Sequence, residues 1–426
     1  MKKSTKSKRR RQPRSPRSSR KPGGGAAGRV VDLREQIRAA LMAEIRSAVA
    51  MTARQIVEDE ATSLVGEPWS RKGESPLRRN GQTTTTIFLD GEPHSLRRPR
   101  VRDQDVGSEY PLQTVRALRS RDALDQDVKT RMVRGVSTRN YEDTLTALSA
   151  GLGLKKSAVS SAFRRAARKD LDALNGRSLA DGTFPVNYID NTSFADHTCV
   201  IAMGLERDGT KRILGVVEGA TENTVLVRDL LGNLQERGLQ TMQRVLFVID
   251  GSKALRKAIR DAFGGRALVQ RCQLHKRRNI ESYLPPSRQV EVRRRLNAAW
   301  GMPRYDDARQ ELRRVHAWLK AINESAAASL DEALEETLTV HRLGVTGALR
   351  KTLATTNPSE SANDIVKSNA RRVKRWYGSS MVLRWAGTGL LKAEAQFRRV
   401  GGHKQMKLLV TALENDSLSE GKDVAC

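Results

Sequence analysis

The central part of the chain alternates between short apolar runs and longer stretches with helical periodicity. Apolar runs of this length, bounded by turn residues, predict β-strands. Five such runs occur in sequence: PVNYID (185–190), HTCVIAMGL (197–205), RILGVVEG (212–219), RVLFVID (244–250) and ALVQRCQ (267–273). Apolar residues then recur at helical spacing after the third, fourth and fifth runs, which predicts a helix after each of them.

The order of these elements predicts how the strands pair. In 197–205, Cys199, Ile201, Met203 and Leu205 alternate onto one face, and the Asp208-Gly209 pair predicts a hairpin turn to the next strand. We therefore expect three antiparallel strands followed by a parallel crossover pair, in a mixed five-stranded sheet with helices on its faces. This α/β order is that of the ribonuclease H-like fold.

Flanking patterns divide the rest of the chain. A helix is expected over 32–64, a β-hairpin over 83–101, and a helix-turn-helix over 137–166, for which an ordinary helical hairpin is the alternative. After Pro285-Pro286 the pattern is strongly helical, and TTNP at 355–358 predicts the start of a new helix. The predicted segments are a disordered basic tail (1–28), a mainly helical DNA-binding region (29–180), a catalytic core (181–284), a helical insertion (285–350), the final core helices (351–400) and a C-terminal tail (401–426).

The charge of the chain points to a polyanionic partner. Its 77 Lys and Arg residues outnumber 48 Asp and Glu residues, for a net charge of +29. Nucleic acid is the usual partner of such a chain, and an aromatic content of only 4% favours contact with a duplex backbone over base stacking. No apolar run approaches the ~20 residues of a membrane span. Three distant cysteines fit a reducing cytosol, so we expect a cytoplasmic, nucleoid-associated protein.

Two acids stand at the ends of predicted strands. Asp190 ends the first strand and Asp250 the fourth, and these strands are neighbours in a ribonuclease H-like sheet. Paired carboxylates repel each other unless a cation lies between them, and all-oxygen ligands select Mg²⁺ or Mn²⁺. Glu360, on the helix after the insertion, can supply a third carboxylate. Alternatively, Asp250 only forms a turn or caps a helix, and Glu360 only complements a helix dipole.

The motifs in this order resemble the bacterial mutator-type transposases grouped with insertion sequence 256. The residues that carry the resemblance are NYID, VIDG, the Cys-x₂-His of RCQLHKRRNI, TTNPSES and, upstream, LRRNG, RRPRVRD and GVSTRNYEDTL. It covers roughly residues 77–400. It implies a DDE transposase with a ribonuclease H-like core and a helical insertion before the last acid. Pro358 and Ser359 replace small and aliphatic residues that the family often has.

Residue by residue, the resemblance makes Asp190, Asp250 and Glu360 the metal ligands and Cys272 and His275 the signature pair. Asp196 is the weaker alternative for the first acid. One Cys-x₂-His pair cannot complete a four-ligand zinc site. We therefore expect Cys272 and His275 to have a structural role near the metal, or His275 to bind a DNA phosphate.

Basic side chains at helical spacing are the candidate DNA contacts. They lie on the second helix of the predicted helix-turn-helix (Ser160, Arg164 and Arg165) and on the helix after Glu360 (Lys367, Arg371, Lys374 and Arg375). On the second helix, hydroxyl and guanidinium groups suit the major groove. For the helix after Glu360, the alternative is a solvated charged face.

Three functions compete at this point. The first is a transposase that binds the terminal inverted repeats of its element and cleaves and joins DNA through a DDE triad; pairing two ends requires at least a homodimer. The second is a non-catalytic helix-turn-helix regulator. The third is a nuclease or Holliday-junction resolvase on the same fold. A nucleotide-driven motor is excluded because the chain has no G-x-x-x-x-G-K-[ST] loop.

Overall fold

A computed structural model describes residues 26–70, 75–89, 92–138, 156–219, 223–239 and 244–420. The chain divides into two compact units, Met1–Ser120 and Arg121–Cys426. Most of the predicted basic tail, the Asp90-Gly91 turn and the turn of the predicted helix-turn-helix lie outside the described residues. No helix of the described ranges is both long enough and apolar enough to cross a membrane.

The first unit combines two helices with a small antiparallel sheet. Its elements are helix α1 (Ala26–Val65), strands β1 (Leu77–Leu89), β2 (Glu92–Asp103) and β3 (Ser108–Tyr110), and helix α2 (Gln113–Leu118). β1 pairs antiparallel with β2, which confirms the predicted hairpin. The core of the unit joins the C-terminal half of α1 to the sheet through Val57, Ala61, Ile87 and Val101.

The second unit is built on a mixed five-stranded sheet, as predicted. Its strands are β4 (Val186–Phe194), β5 (His197–Leu205), β6 (Lys211–Gly219), β7 (Val245–Ile249) and β8 (Ala267–Arg271). Their order is β6-β5-β4-β7-β8. The first three are antiparallel, whereas β4–β7 and β7–β8 are parallel pairs. The first and fourth strands are therefore neighbours, as the element order indicates.

Helices cover both faces of this sheet. The face with Cys199, Ile201 and Met203 packs against α4 (Lys156–Gly176), α13 (Asn357–Ala370) and α14 (Ser379–Glu394). The opposite face, with Val200 and Ala202, packs against α5 (Thr224–Glu236) and α6 (Lys253–Phe263). The alternation read from 197–205 therefore separates two hydrophobic cores.

The segment between β8 and α13 is helical and has a core of its own. It comprises α7 (Gln273–Ser282), α8 (Pro286–Gly301), α9 (Tyr305–Lys320), α10 (Glu324–Asp331), a 3₁₀ turn (Glu335–Leu338), α11 (Thr339–Arg342) and α12 (Gly347–Leu353). Leu296, Trp300 and Leu312 are buried in this core. The buried residues of this core run from Ile280 to Leu338, whereas Val340 of α11 and Leu349 and Leu353 of α12 are buried in the core that includes α13 and α14.

Two further helices of the second unit frame the sheet. α3 (Asp122–Val133) precedes α4, and α15 (Met406–Glu420) follows α14. The predicted C-terminal tail, 401–426, contains α15, and Met406, Leu409 and Leu413 of this helix are buried in the larger core.

Two boundaries differ from the expected ones. The strand that contains Asp190 does not end there, because β4 pairs with β5 as far as Phe194. The helix that contains Glu360 ends at Ala370. The prediction that Lys374 and Arg375 lie on one face of this helix is therefore wrong.

The chain leaves the helical path after Ala370 because its next apolar residues pack inward. Val373 and Trp376 both lie against the core. The ring of Trp376 is 5.1 Å from that of Phe194.

Candidate active site

The parallel pairing of β4 and β7 brings two acids together. The last paired residues are Ile189 and Ile249, and Asp190 and Asp250 follow them directly. The two acids therefore lie side by side where the parallel pairing of β4 and β7 ends, although β4 itself continues to Phe194. The amide Nδ2 of Asn191 is 3.5 Å from Oδ2 of Asp250, which joins the two strand ends.

The carboxylate of Asp190 is buried and held by three donors. Its Oδ2 accepts hydrogen bonds from Ser359 Oγ at 2.9 Å and from Asn363 Nδ2 at 3.1 Å. Its Oδ1 accepts one from the backbone N–H of Asn191 at 2.9 Å. Burial raises the pKa of Asp190 to about 6, with smaller contributions from the charges of Asp250 and Glu360 and partial opposition from the Ser359 and Asn191 hydrogen bonds.

Asp250 also shapes the turn that begins α6. Its Oδ1 accepts a hydrogen bond from the N–H of Ser252 at 2.9 Å, and the hydroxyl of Ser252 caps α6. The turn-forming interpretation of Asp250 is therefore correct as far as it goes. The other carboxylate oxygen, Oδ2, lies on the side of β4, 3.5 Å from the amide of Asn191.

A buried arginine fixes the residue after Asp250. Gly251 has φ +135°, and Arg271 at the end of β8 donates a hydrogen bond to its carbonyl oxygen. The guanidinium of Arg271 is 3.3 Å from Glu332 and 3.6 Å from Glu336, both in the helical segment. The helical segment is thereby tied to the turn that carries Asp250.

Glu360 comes to the same edge from the first turn of α13. Its Oε1 accepts a hydrogen bond from Thr356 Oγ1 at 3.1 Å and lies 3.8 Å from Nε2 of His275. The position suits a carboxylate because the positive end of the helix dipole stabilises negative charge. Its charge also contributes to the raised pKa of Asp190, so the three acids form one electrostatic group.

Cys272 and His275 lie beside Glu360. Cys272 Sγ accepts a hydrogen bond from the N–H of Thr356 at 3.4 Å and lies 3.5 Å from its hydroxyl oxygen. Thr356 Oγ1 is also 3.4 Å from Nδ1 of His275. The hydrogen bond with Cys272 raises the pKa of His275, and the nearby Glu360 and Asp250 charges add to it. Burial opposes a thiolate, but the His275 and Thr356 hydrogen bonds outweigh it and lower the pKa of Cys272.

The three carboxylates match a hard divalent cation in chemistry. Across the described ranges, no three His, Cys, Asp or Glu side chains are already close enough to hold one ion. The donor set is nevertheless all oxygen, which is what Mg²⁺ and Mn²⁺ prefer. Oδ1 of Asn363, next to Asp190, is buried without a hydrogen-bond partner. A cation here would relieve both the repulsion among the acids and this unsatisfied oxygen.

The other predicted site residues are more dispersed. Asp196 is exposed in the β4–β5 turn, roughly 15–20 Å along the chain from Asp190. Both nitrogens of the Arg165 fork are bound by Asp125, at 2.8 and 2.6 Å, so this arginine ties α4 to α3. Exposed side chains are found for Ser160, Arg164, Lys367, Arg371, Lys374 and Arg375.

Ser359, Asn363 and Thr356 were not predicted from the sequence. A signal for two of them existed, since residues four apart share one face of a helix. Ser359 and Asn363 are so spaced on α13, and both contact Asp190. Thr356 precedes α13 and carries no periodic signal, and its role depends on contacts with α7.

Comparison with known sequences is consistent across most of the chain. A family profile described as "Transposase, Mutator family" matches residues 29–399. The chain is 26% identical over 348 residues to the transposase for insertion sequence element IS256 in transposon Tn4001 of Staphylococcus aureus, covering 79% of this chain and 86% of that protein. It is also 26% identical to the transposase for IS406 of Burkholderia multivorans (74% and 80% covered) and to that for ISRM5 of Rhizobium meliloti (80% and 85%).

Proposed function

Because the chain belongs to the mutator family of transposases, we propose that it binds the terminal inverted repeats of an insertion sequence and catalyses metal-dependent cleavage and strand transfer of DNA. The observation that carries the proposal is the convergence of Asp190, Asp250 and Glu360 from β4, β7 and α13. These elements are separated in sequence, and neither strand pairing nor helix packing requires an acid at any of the three positions.

We propose further that the second unit has a ribonuclease H-like core. The sheet order β6-β5-β4-β7-β8, with three antiparallel strands followed by a parallel pair, supports this assignment. The helical segment between β8 and α13 would then be an insertion into the core. The acids would occupy the edge where β4 and β7 end their parallel pairing.

In this proposal Asp190, Asp250 and Glu360 hold Mg²⁺ or Mn²⁺. Bound divalent ions supply a Lewis acid that offsets negative charge on the phosphoryl oxygens during transfer. The protein supplies the arrangement of the acids. Ser359 and Asn363 orient Asp190, Thr356 orients Glu360, and the Ser252 N–H orients Asp250.

The reaction consists of two phosphoryl transfers. In the first, water attacks the phosphodiester at the end of the transferred strand, and the bond to the leaving 3′-oxygen breaks. In the second, the freed 3′-hydroxyl attacks a phosphodiester of target DNA, forming one P–O bond and breaking another. The balance of bonds means that neither a covalent enzyme intermediate nor a nucleotide cofactor is required.

The partner is double-stranded DNA, both the element ends and the target. The net charge of +29 and the exposed Ser160, Arg164, Lys367 and Arg371 support backbone contact. Synapsis of two ends implies a homodimer or larger assembly on DNA, acting in the bacterial cytoplasm at the nucleoid. Cys272 and His275, hydrogen-bonded through Thr356, support Glu360 from the side of α7.

A non-catalytic DNA-binding regulator is the second candidate. The charge and the basic surface of α4 favour it, but it leaves the burial of an ionisable Asp190 between two other acids without a purpose. A nuclease or junction resolvase would use the same acids and would stop at cleavage. Joined products, as opposed to nicks alone, distinguish a transposase from both.

The proposal is tested with purified protein and duplexes that carry its own terminal repeats. Wild type, Asp250→Asn and the control Asp261→Asn, an exposed aspartate on α6, are incubated with Mg²⁺ or Mn²⁺. We expect metal-dependent cleavage and joining from wild type and the control, and binding alone from Asp250→Asn. Cleavage by Asp250→Asn at the wild-type rate would refute the triad. Tight binding without cleavage by any of the three would favour the regulator.

A further inference from the structure

A groove in the second unit lies between α4, residues 371–377 and the beginning of α14. We refer to it as the α4–α14 groove. Its lining includes Ser160 and five cationic side chains, those of Arg164, Arg372, Lys374, Arg375 and Arg384. Arg372 and Arg384 were not among the predicted DNA contacts. Arg372 follows the end of α13 and Arg384 lies on α14, so no helical spacing in the sequence relates them.

The groove concentrates positive charge, and no acidic side chain of the described residues lines it. Among the ion pairs of the described residues, none involves these five side chains. Burial lowers the pKa of Arg384, and the neighbouring charges of Arg164 and Arg168 lower it further. Cations packed this closely favour an anion between them.

The groove is rigid beneath its charges. Its floor contains Phe163 and Trp385, whose rings are 4.5 Å apart and whose side chains belong to the main core. Arg372 lies across Gly135, with Nε 3.4 Å from the position that a Cβ there would take. Gly135 has φ +95°, so a glycine both permits the turn and makes room for the guanidinium.

The groove lies at the end of α13 that is away from Glu360. α13 begins beside Glu360 and ends just before Arg372. The ten steps from Glu360 to Ala370 span about 15 Å at 1.5 Å per helical residue, and Arg372 lies two residues further along the chain. At about 3.4 Å of duplex per base pair, this length corresponds to about five base pairs.

We propose that the α4–α14 groove binds the sugar-phosphate backbone of duplex DNA within about five base pairs of the scissile phosphate, with Arg372 and Arg384 each contacting a phosphate. The inference rests on the proposed function, because it takes DNA as the substrate. It adds the place at which the protein holds the DNA end and the residues that hold it. Guanidinium groups suit this role because they donate two parallel hydrogen bonds to phosphate oxygens.

The first test measures the affinity of wild type and variants for a terminal-repeat duplex by fluorescence anisotropy over a range of salt concentrations. Arg372→Ala and Arg384→Ala should each weaken binding by about 3- to 10-fold and reduce the slope of log K against log salt by about one. Arg313→Ala, an exposed arginine on α9, is the matched control and should change neither. Lys374→Ala, at an exposed position of the same groove, repeats the test should Arg384→Ala fail to fold.

The second test locates the phosphates. Neutral methylphosphonate linkages are placed one at a time along the duplex. A linkage within about five base pairs of the cleaved bond should weaken wild-type binding as the arginine substitutions do, and should have no further effect on the matching variant. Additive losses at every position, or wild-type affinity and salt slope in both arginine variants, would overturn the proposal. Metal-dependent cleavage by wild type in the same experiment shows that such a failure does not extend to the proposed function.

Discussion

Ser359 donates a hydrogen bond from Oγ to Oδ2 of Asp190 over 2.9 Å, and so links α13 to β4 across 169 positions of the chain. Ser359 is also the residue directly before Glu360. The hydroxyl of Ser359 therefore orients Asp190, and its backbone forms part of the helix turn that carries Glu360.

Replacing Ser359 with alanine should shift the pH dependence of cleavage. The hydrogen bond from Ser359 lowers the pKa of Asp190, which burial holds at about 6. Without it, the pKa rises and the acid limb of the pH–rate profile should move upward by about one unit, the scale of a hydrogen bond to a charged group. Ser361→Ala is the control, since this exposed hydroxyl bonds only the carbonyl of Asn357. An unchanged acid limb in Ser359→Ala would show that Asp190 does not limit the rate.

The ionised form of Asp190 should destabilise the metal-free protein. Its folded pKa of about 6 lies above the value of about 4 in an unfolded chain, so the folded state binds the proton more tightly. Protonated Asp190 therefore stabilises the folded state fully below its unfolded pKa. This stabilisation, about 3 kcal/mol in all, is lost as the pH rises through its folded pKa.

Asp190→Asn removes that dependence. In EDTA, the stability of the variant relative to wild type should increase by about 2 kcal/mol between about pH 4.5 and about pH 8, measured by urea unfolding followed by tryptophan fluorescence. Asp364→Asn, an exposed position on α13, should show no such trend. A constant difference between Asp190→Asn and wild type across this range would contradict the raised pKa of Asp190.

The strands of the sheet could be predicted because their information is local. Alternation in 197–205 and the apolar run of β7 are visible in the sequence, and the order of elements then implies that β4 and β7 are neighbours. The turn at Asp208-Gly209 is equally local, with Gly209 at φ +84°.

The ends of β4 and α13 could not be predicted, because contacts between residues distant in sequence determine them. β4 continues past Asp190 because β5 offers partners as far as Phe194. No glycine or proline marks the end of α13, which follows from the packing of Trp376 on Phe194. Likewise, Arg165 has the spacing of a DNA contact and is instead bound by Asp125, which only the packing of α3 on α4 brings near it.

The hydroxyl of Thr356 should matter for catalysis and not for DNA binding. It is fully buried and connects Cys272, His275 and Glu360 at 3.1–3.5 Å. Thr356→Val keeps the shape but leaves these groups without a shared partner, at a cost of about 1–3 kcal/mol. We expect cleavage to fall by about tenfold or more while anisotropy gives wild-type affinity.

The neighbouring threonine provides the comparison. Thr355 is partly exposed, and its hydroxyl accepts only a long hydrogen bond of 3.5 Å from the N–H of Asn357. Thr355→Val should therefore cleave at close to the wild-type rate. If the two valine variants behaved alike, the effect would belong to the helix start in general and not to the link between Cys272, His275 and Glu360.

A side chain at Gly251 should be destabilising, because both its backbone conformation and its surroundings oppose one. Its φ of +135° is rarely adopted by L residues, and a Cβ would lie 3.2 Å from Nη1 of Arg271. Arg271 is only 3% exposed and is held by Glu332 and Glu336, so it cannot simply move away. Gly251→Ala should cost about 1–3 kcal/mol of stability and displace the turn that carries Asp250.

The displacement of Asp250 should give Gly251→Ala a defect in metal-dependent cleavage that a loss of stability alone would not produce. Below its unfolding temperature, Gly251→Ala should need more Mn²⁺ for half-maximal cleavage and should cleave at least tenfold more slowly, with normal DNA affinity. Gly265→Ala is the matched control, since a Cβ there meets open space and the backbone φ is not positive. Because Arg271 connects this turn to the helical segment, Glu332→Gln should reproduce a smaller part of the same Mn²⁺ shift. A Gly251→Ala protein with a wild-type Mn²⁺ requirement would show that Asp250 does not depend on the turn.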